Sequence, residues 1–473
     1  MKGCSHASRM VLLAARWLAG LLVLSVVAAA SIAGALRVTP PQTVTVAGQV
    51  VKVGATGPSL SLSGPGEVDL FGQSLATNLR FAGPVRPRLQ LAQITVNSEL
   101  TNFVEGSKPA HAKRVLGSRL ADGWVHYFVW ESLLAGVGAL MLVGAVAGWR
   151  RAPHRTTVKL LAAGVIVTGT INVGAILVTA NQARGALRGV TSLNQLVGSE
   201  PATPRAAKAD RPLPGVEAVV LGDSTAAGAG LSPVADPSRS DRACRRSINS
   251  YAENLAAVNG WRVMNLACSG ATIGHGLLGP QYRHGLLVPA QVATAVRAQN
   301  ASVVIVSIGA NDLGWSKMLT YCAVAPRCDD RATTAYFQQQ LISFSKDYLD
   351  LLSKLATLPG HPRVIIDRYY NPFGTDAACL REIGYTPAKV SILTSRLNTL
   401  NTVLAKGAAQ FRFSSPQPDF AGHQLCSAQP YVQGLGSAAP FHPTALGELA
   451  IALADEQALR GAAGAAQGPG IQR

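Results

Sequence analysis

The sequence predicts an α/β fold with a mainly parallel sheet over residues 216–460, preceded by three transmembrane helices and a small extracytoplasmic β domain. Three observations carry this reading. Strand and helix signals alternate through the second half, three apolar runs of bilayer length stand in the first, and period-two alternation fills the stretch after the first run. The 473 residues are 48% hydrophobic, 14% charged and 6% aromatic, with mean hydropathy +0.22. That composition excludes simple disorder and a small disulfide-stapled scaffold. The net charge of +17 is uneven: residues 1–209 hold 20 Lys/Arg against 7 Asp/Glu, and residues 210–473 hold 22 against 18. Positive charge concentrated where the apolar runs lie is membrane-flanking charge. No basic run with interleaved aromatics points to a nucleic-acid partner.

The apolar runs are Trp17–Leu36, Ser132–Trp149 and Leu160–Ala180. A helix needs about 20 residues to cross ~30 Å of hydrocarbon, so the second is marginal in length. Soluble helices this long carry a polar face, which these lack. The loop between the second and third runs holds Arg150, Arg151, Arg155 and Lys159 and no acid; the N-terminal tail holds Lys2, Arg9 and Arg16 and no acid. The positive-inside rule puts both in the cytoplasm, and residues 37–123 and 181–473 outside. The expected location is the plasma membrane, multi-pass, with the second half on the extracytoplasmic face. The first run offers small-residue cleavage sites at 28–33, but its length favours an uncleaved anchor. Glu131, beside Trp124, Tyr127 and Trp130, reads as a headgroup-depth residue in an aromatic belt rather than an intramembrane acid with a role.

These signals divide the chain into a tail and first span (1–37), a β-rich domain (38–123), the second and third spans (124–182), a Pro/Ala linker (183–215), the α/β domain (216–460) and a disordered Gly/Ala tail (461–473). The β-rich stretch alternates at Gln42–Ala47 and Leu60–Ser63, with Gly-Pro punctuation at Gly57-Pro58, Gly64-Pro65 and Gly83-Pro84, and is expected to be antiparallel. Of seven cysteines, Cys4 lies in the tail. Cys244, Cys268, Cys322, Cys328, Cys379 and Cys426 all follow the third run. Six cysteines on the outer side fit three disulfides, with fifteen possible pairings. No CxxC pair is present, so a zinc site is poorly supported.

Within 216–460, strand signals stand at Val216–Leu221, Arg262–Leu266, Ser302–Ile308 and Arg363–Ile366. Helical patterns stand at about 248–258, 288–299, 333–357, 386–408 and 443–459. Ligand sites in such sheets lie beyond the carboxyl ends of the strands. There the sequence places Gly222-Asp223-Ser224, then Cys268-Ser269-Gly270, then Gly309-Ala310-Asn311-Asp312. A serine in a tight strand-to-helix turn presents its hydroxyl and nearby backbone N–H groups, as a nucleophile with an oxyanion site requires. Gly270 lets backbone approach a ligand, and the Asn311 amide can donate to an oxyanion. Each motif alone is equally an ordinary turn. Among the five histidines here, His442 precedes Pro443 at the start of the last helix, where rigid backbone holds it. His275, His284 and His361 sit in Gly/Pro loops as surface residues, and His423, near Cys426, reads as structural.

Taken together, Gly222-Asp223-Ser224, Gly270, Gly309-Ala310-Asn311-Asp312 and His442-Pro443 resemble the four ordered blocks of the SGNH (GDSL-type) hydrolases over roughly residues 215–455. The cysteines and Phe420–Cys426 resemble the secreted actinobacterial lipase/esterase branch. The resemblance implies a flavodoxin-like three-layer sandwich, Ser224 as nucleophile and His442 as general base. It also implies an oxyanion hole from Ser224 N–H, Gly270 N–H and the Asn311 side chain, and disulfides in sequential order, Cys244–Cys268, Cys322–Cys328 and Cys379–Cys426. It does not cover the apolar runs or the β domain.

One position departs from the family. The acid often found three residues before the histidine is Ala439. A main-chain carbonyl from residues 437–440 is expected to orient His442 instead, with Asp419 as the rival. The expected function is a membrane-anchored extracytoplasmic serine esterase or lipase acting on an acyl ester of a lipid or acylated glycan, with no cofactor and no metal. Two alternatives are an acyltransferase to an envelope sugar or glycolipid, and a relict envelope-binding protein.

Overall fold

The computed structural model describes residues 4–46, 49–57, 61, 63–83, 85–93, 110–187, 213–374 and 378–466. Most of the expected linker, and the tail beyond 466, lie outside the described residues. The chain divides into two compact units near Gly198.

The N-terminal unit opens with helix α1 (Cys4–Val38), followed by strands β1 (Gln42–Val46), β2 (Gln49–Ala55), β3 (Ser63–Leu70), β4 (Gln73–Ala82) and β5 (Pro87–Gln93), then helices α2 (Ala110–Trp149) and α3 (His154–Leu187). Among the described residues, three segments are long and apolar enough to cross a membrane: Leu18–Val38, Asp122–Trp149 and His154–Gly174. Val27, Ala139 and Val143 pack between the helices, with Leu161 against them. The second segment starts well before Ser132, because the aromatic stretch ahead of it continues the same helix.

The structure gives one expected residue a partner and corrects one expected sheet. Glu131, expected at headgroup depth, turns toward α3. It is fully buried and accepts a 2.5 Å hydrogen bond from Asn172 Nδ2 of α3, which also reaches Ser132 Oγ at 2.9 Å. An acid beside an aromatic belt can turn inward wherever a neighbouring helix offers a donor, and a single-helix pattern does not show that donor. The sheet is also not purely antiparallel. Its order is β1-β2-β5-β3-β4. β1–β2 and β2–β5 are antiparallel, but β3 pairs with β5 in parallel, because the chain passes β3 after β4 to join β2. Trp124 of α2 donates from Nε1 to Gly54 O at 2.9 Å.

The C-terminal unit is built on a four-stranded sheet of β6 (Ala218–Gly222), β7 (Val263–Asn265), β10 (Val303–Ser307) and β11 (Arg363–Ile366), in the order β11-β10-β6-β7. Every pairing is parallel. β6 and β10 are buried along their whole length, which is why they read as continuous apolar runs without alternation. Counted along the chain, the order is 2-1-3-4, so it reverses between β6 and β10. That reversal opens the crevice where sheets of this kind bind ligands.

The helices are α4 (Ser224–Ala227), α5 (Arg239–Cys244), α6 (Tyr251–Asn259), α7 (Gln291–Ala295), α8 (Trp315–Val324), α9 (Arg331–Ala356), α10 (Pro387–Gln410) and α11 (Ala445–Ala466). α9 is amphipathic, burying Phe337, Leu341, Phe344, Tyr348 and Leu352 at helical spacing. Asp330 caps it by accepting from the Ala332 and Thr333 N–H groups. Three sequence assignments change. The pattern at 288–299 yields only the short α7, preceded by a hairpin of β8 (Gln281–Arg283) and β9 (Leu286–Val288). The last helix begins at Ala445, and Pro443 instead pairs with Val432 in an antiparallel bridge. α11 also continues to Ala466, into the stretch expected as a disordered tail.

Candidate active site

Ser224 follows β6 through a turn that only glycine permits. Gly222 has φ +152°, and a Cβ there would collide with the Ser307 carbonyl of β10. Gln291 clamps this glycine, accepting from its N–H at 2.8 Å and donating to its carbonyl at 2.9 Å. Asp223 caps α4 by accepting from Thr225 N–H at 2.9 Å, and Gly228, with φ +69°, ends the helix after one turn. The other Asp223 oxygen accepts from Tyr369 Oη at 2.6 Å, and Tyr369 Oη accepts from Ala310 N–H at 3.1 Å. Tyr369 thus ties the Ser224 turn to the loop carrying Asn311. Burial pushes the Asp223 carboxyl up to about 6, against the pull of these donors.

The second loop leaves β7 and continues the sheet ladder, Cys268 N–H donating to Gly222 O at 3.0 Å. The Cys244–Cys268 disulfide fixes it from one side. Ser269 N–H donates to Cys244 O at 3.1 Å. Gly270 then takes φ +80°. The third loop leaves β10. Asn311 Nδ2 donates to Ala271 O at 3.0 Å, and Asp312 accepts from Ile273 N–H at 2.9 Å, so this pair holds the second loop beside the third. Burial raises the Asp312 carboxyl to about 7. Among the described residues, the Ser224 and Gly270 N–H groups have no internal acceptor, and Asn311 has a second amide hydrogen to give.

His442 meets these loops from the far end of the chain. Its Nε2 lies 2.7 Å from Ser224 Oγ, and its Nδ1 lies 3.1 Å from Pro440 O. A carbonyl only accepts, so Nδ1 carries the proton and Nε2 is left to accept from the serine hydroxyl. Burial first, then the Arg245 charge, hold the imidazole below its ordinary value, against the raising effect of the Pro440 and Ala439 carbonyls. Asp419 does not approach this ring. It is exposed and accepts from Ala421 N–H at 2.9 Å. His423 bonds through Nδ1 to Gln429 O and stacks on Tyr431 at 4.0 Å, while His275, His284 and His361 are exposed.

Several residues that position the site carried no sequence signal. Buried Gln433 donates from Nε2 to Ala229 O and to Pro443 O, both at 2.8 Å, and its N–H donates to His442 O at 2.7 Å. It thereby ties the histidine segment to the turn after Ser224. Phe441 sits at φ +66°, strained for a non-glycine residue, and Tyr370 Oη holds its carbonyl at 2.8 Å. Asn401 brackets the Tyr369 backbone with bonds of 2.8 and 2.7 Å. These are long-range pairings of common polar residues, and no local spacing announces them.

A family profile for the GDSL-like lipase/acylhydrolases matches residues 220–450. A lipase of Streptomyces rimosus is 31% identical over 241 residues, covering 49% of this chain and 81% of that protein. The chain belongs to the GDSL-like lipase/acylhydrolase family. Lipase 1 of Streptomyces coelicolor is 29% identical over 237 residues, again covering 49% of this chain and 81% of that protein. The crystal structure of an extracellular lipase from Streptomyces rimosus aligns with TM-score 0.39 and 24% identity, over 52% of this chain and 99% of the other. The family profile spans the C-terminal unit alone. The C-terminal unit is an ester hydrolase of the SGNH type, with six cysteines bonded as Cys244–Cys268, Cys322–Cys328 and Cys379–Cys426.

Proposed function

We propose that this protein is a membrane-anchored serine esterase or lipase, with its hydrolase domain on the extracytoplasmic face and Ser224 as nucleophile. The observation that carries the reading is the 2.7 Å approach of His442 Nε2 to Ser224 Oγ, with Nδ1 on Pro440 O. His442 takes the serine proton as Oγ attacks the ester carbonyl. The oxyanion is met by Ser224 N–H, Gly270 N–H and Asn311 Nδ2–H. The imidazolium then gives its proton to the departing alcohol, and a water activated by the same nitrogen releases the acid from the acyl-enzyme. A neutral carbonyl stabilises the imidazolium less than a carboxylate does, so turnover is expected to be slow for this chemistry.

Three disulfides in one domain support an oxidising compartment, and the basic loop at 150–159 supports a cytoplasmic connection between the second and third spans. The test is fluorophosphonate labelling of the full-length protein together with hydrolysis of a short-chain aryl ester. Wild type should label and turn over, and Ser224→Ala should do neither while remaining folded. Labelling that persists in Ser224→Ala refutes the site. A reporter at the C-terminus should read external; a cytoplasmic reading refutes the topology.

A further inference from the structure

Ser224, Asn311 and His442 are each preceded in the chain by a residue that one of two adjacent tyrosines holds. Asp223 precedes Ser224, and its carboxylate accepts from Tyr369 Oη at 2.6 Å. Ala310 precedes Asn311, and its N–H donates to the same oxygen at 3.1 Å. Phe441 precedes His442, and its carbonyl accepts from Tyr370 Oη at 2.8 Å. The Thr225 side chain, next after Ser224, meets the same Tyr370 hydroxyl. Three segments from distant parts of the chain thus share one dipeptide as their reference point. That dipeptide follows the carboxyl end of β11, outside the four sequence blocks that carry the family resemblance.

The pair is itself firmly held. Asn401 of α10 accepts from Tyr369 N–H at 2.8 Å and donates to its carbonyl at 2.7 Å. Gln417 Nε2 reaches the same carbonyl at 3.3 Å. Just before the pair, Arg368 donates from its N–H to Pro416 O and from Nε to Ser415 O, both at 3.1 Å. The Tyr370 ring stacks on Phe420 with centroids 4.5 Å apart. Both tyrosines are buried, and burial raises both phenols above their ordinary value, so each stays a neutral donor. A group locked by its own packing and hydrogen bonds can fix the position of what it touches.

We propose that Tyr369 and Tyr370 are positioning residues that hold the nucleophile, the oxyanion donor and the base at reacting distance from one another. The proposal rests on the esterase reading of the Ser224–His442 pair. Each tyrosine acts through the neighbour of a reacting residue, and the two act on different parts of the reaction. Tyr369 joins the Ser224 turn to the Asn311 loop, so its hydroxyl supports the oxyanion hole, which serves every ester alike. Tyr370 joins the segment before His442 to α4, so its hydroxyl supports proton transfer through the imidazole. An alkoxide leaving group needs that proton far more than an aryl oxide does, because the alcohol is the weaker acid.

The experiment compares 4-nitrophenyl butyrate with ethyl butyrate, using the full chain in detergent. Both esters give the same acyl-enzyme, so their kcat/KM values differ only in acylation. Tyr369→Phe should lower kcat/KM by about 10–100-fold on both esters and leave their ratio unchanged. Tyr370→Phe should lose about tenfold more on ethyl butyrate than on the aryl ester. KM for ethyl butyrate should stay within about twofold of wild type in either variant. Tyr348→Phe is the control: its buried hydroxyl donates to Leu404 O at 2.9 Å, between α9 and α10. It should lower the melting temperature and leave both kcat/KM values at wild type. Wild-type turnover in Tyr369→Phe and Tyr370→Phe, or an equal loss in Tyr348→Phe, overturns the proposal. An unchanged ester ratio in Tyr370→Phe overturns it too, and that ratio decides alone if Tyr369→Phe does not fold. Failure of the esterase reading looks different: wild type itself hydrolyses neither ester and forms no fluorophosphonate adduct.

Discussion

Gln433→Met is the sharpest test of how this protein holds His442, the base of the proposed mechanism. The substitution preserves side-chain volume and removes the amide that donates to Ala229 O and Pro443 O, both at 2.8 Å in a buried setting. Each carbonyl then loses its donor. An unsatisfied buried polar group costs about 1–3 kcal/mol, so the pair costs about 2–6 kcal/mol. Part of this falls on the fold and part on the dyad, because the clamp joins the His442 segment to the turn that follows Ser224. Each ~1.4 kcal/mol expressed as lost transition-state geometry is about tenfold in rate. We expect kcat to fall by about 10–100-fold on an aryl ester, with KM nearly unchanged, since Gln433 touches no substrate. Steady-state kinetics and thermal unfolding of the full-length protein give both numbers. A variant with lowered melting temperature but wild-type kcat would refute the reasoning, leaving Pro440 O and the local chain sufficient to place the ring.

Other consequences are equally specific. Asn311→Ala should lower kcat by about 10²–10³ if the amide donates to the oxyanion; unchanged turnover removes it from the hole. Burial holds the His442 imidazole below 6.5, and the base must be neutral to act, so the acid limb of kcat/KM should have its midpoint below that pH; a midpoint above 7 contradicts it. Cys244→Ser/Cys268→Ser opens a link spanning 24 residues, worth about 3.5 kcal/mol by loop entropy. It should lower kcat as well as stability, because it frees the Gly270 loop. Cys379→Ser/Cys426→Ser, spanning 47 residues, should cost about 4 kcal/mol of stability with a smaller effect on kcat, and equal kinetic losses in the two variants would remove that special role. Asp367, Asp455 and Glu448 lie buried near Tyr251, and burial raises all three carboxyls. A carboxyl raised in the folded state contributes stability below its unfolded value, near 4, and loses it as pH climbs through the folded value. Melting temperature should therefore fall from pH 5 to pH 8, and Asp455→Asn should raise it more at pH 8 than at pH 5; equal effects at both pH values would contradict the burial argument.

The chemistry-bearing residues were legible because strand ends are marked locally. Gly222-Asp223-Ser224 and Gly309-Ala310-Asn311-Asp312 each follow a run of buried aliphatics, and parallel strands buried on both faces write themselves as such runs. The three apolar segments were legible for a related reason: whether a helix is long and apolar enough to cross a membrane is read from length and composition alone. Even a stand-in for the missing acid could be expected near 437–440, since the chain just before His442 runs beside its ring.

Tertiary structure alone decided what depends on partners distant in sequence. Glu131 turns inward because α3 brings Asn172 to it. β3 runs parallel to β5 because of the path the chain takes after β4, which alternation does not encode. Pro440 O meets the His442 ring because Gln433 and Tyr370 hold Phe441 in a left-handed turn. Gln433, Tyr369 and Gln291 have no signature at all. A buried polar side chain takes its role from the groups that folding places within hydrogen-bond distance, and those groups lie 69 to 204 residues away along the chain for Gln291 with Gly222, Tyr369 with Asp223, and Gln433 with Ala229. Sequence determined which atoms can react and at which edge of the sheet they stand; only the fold determined what holds them still.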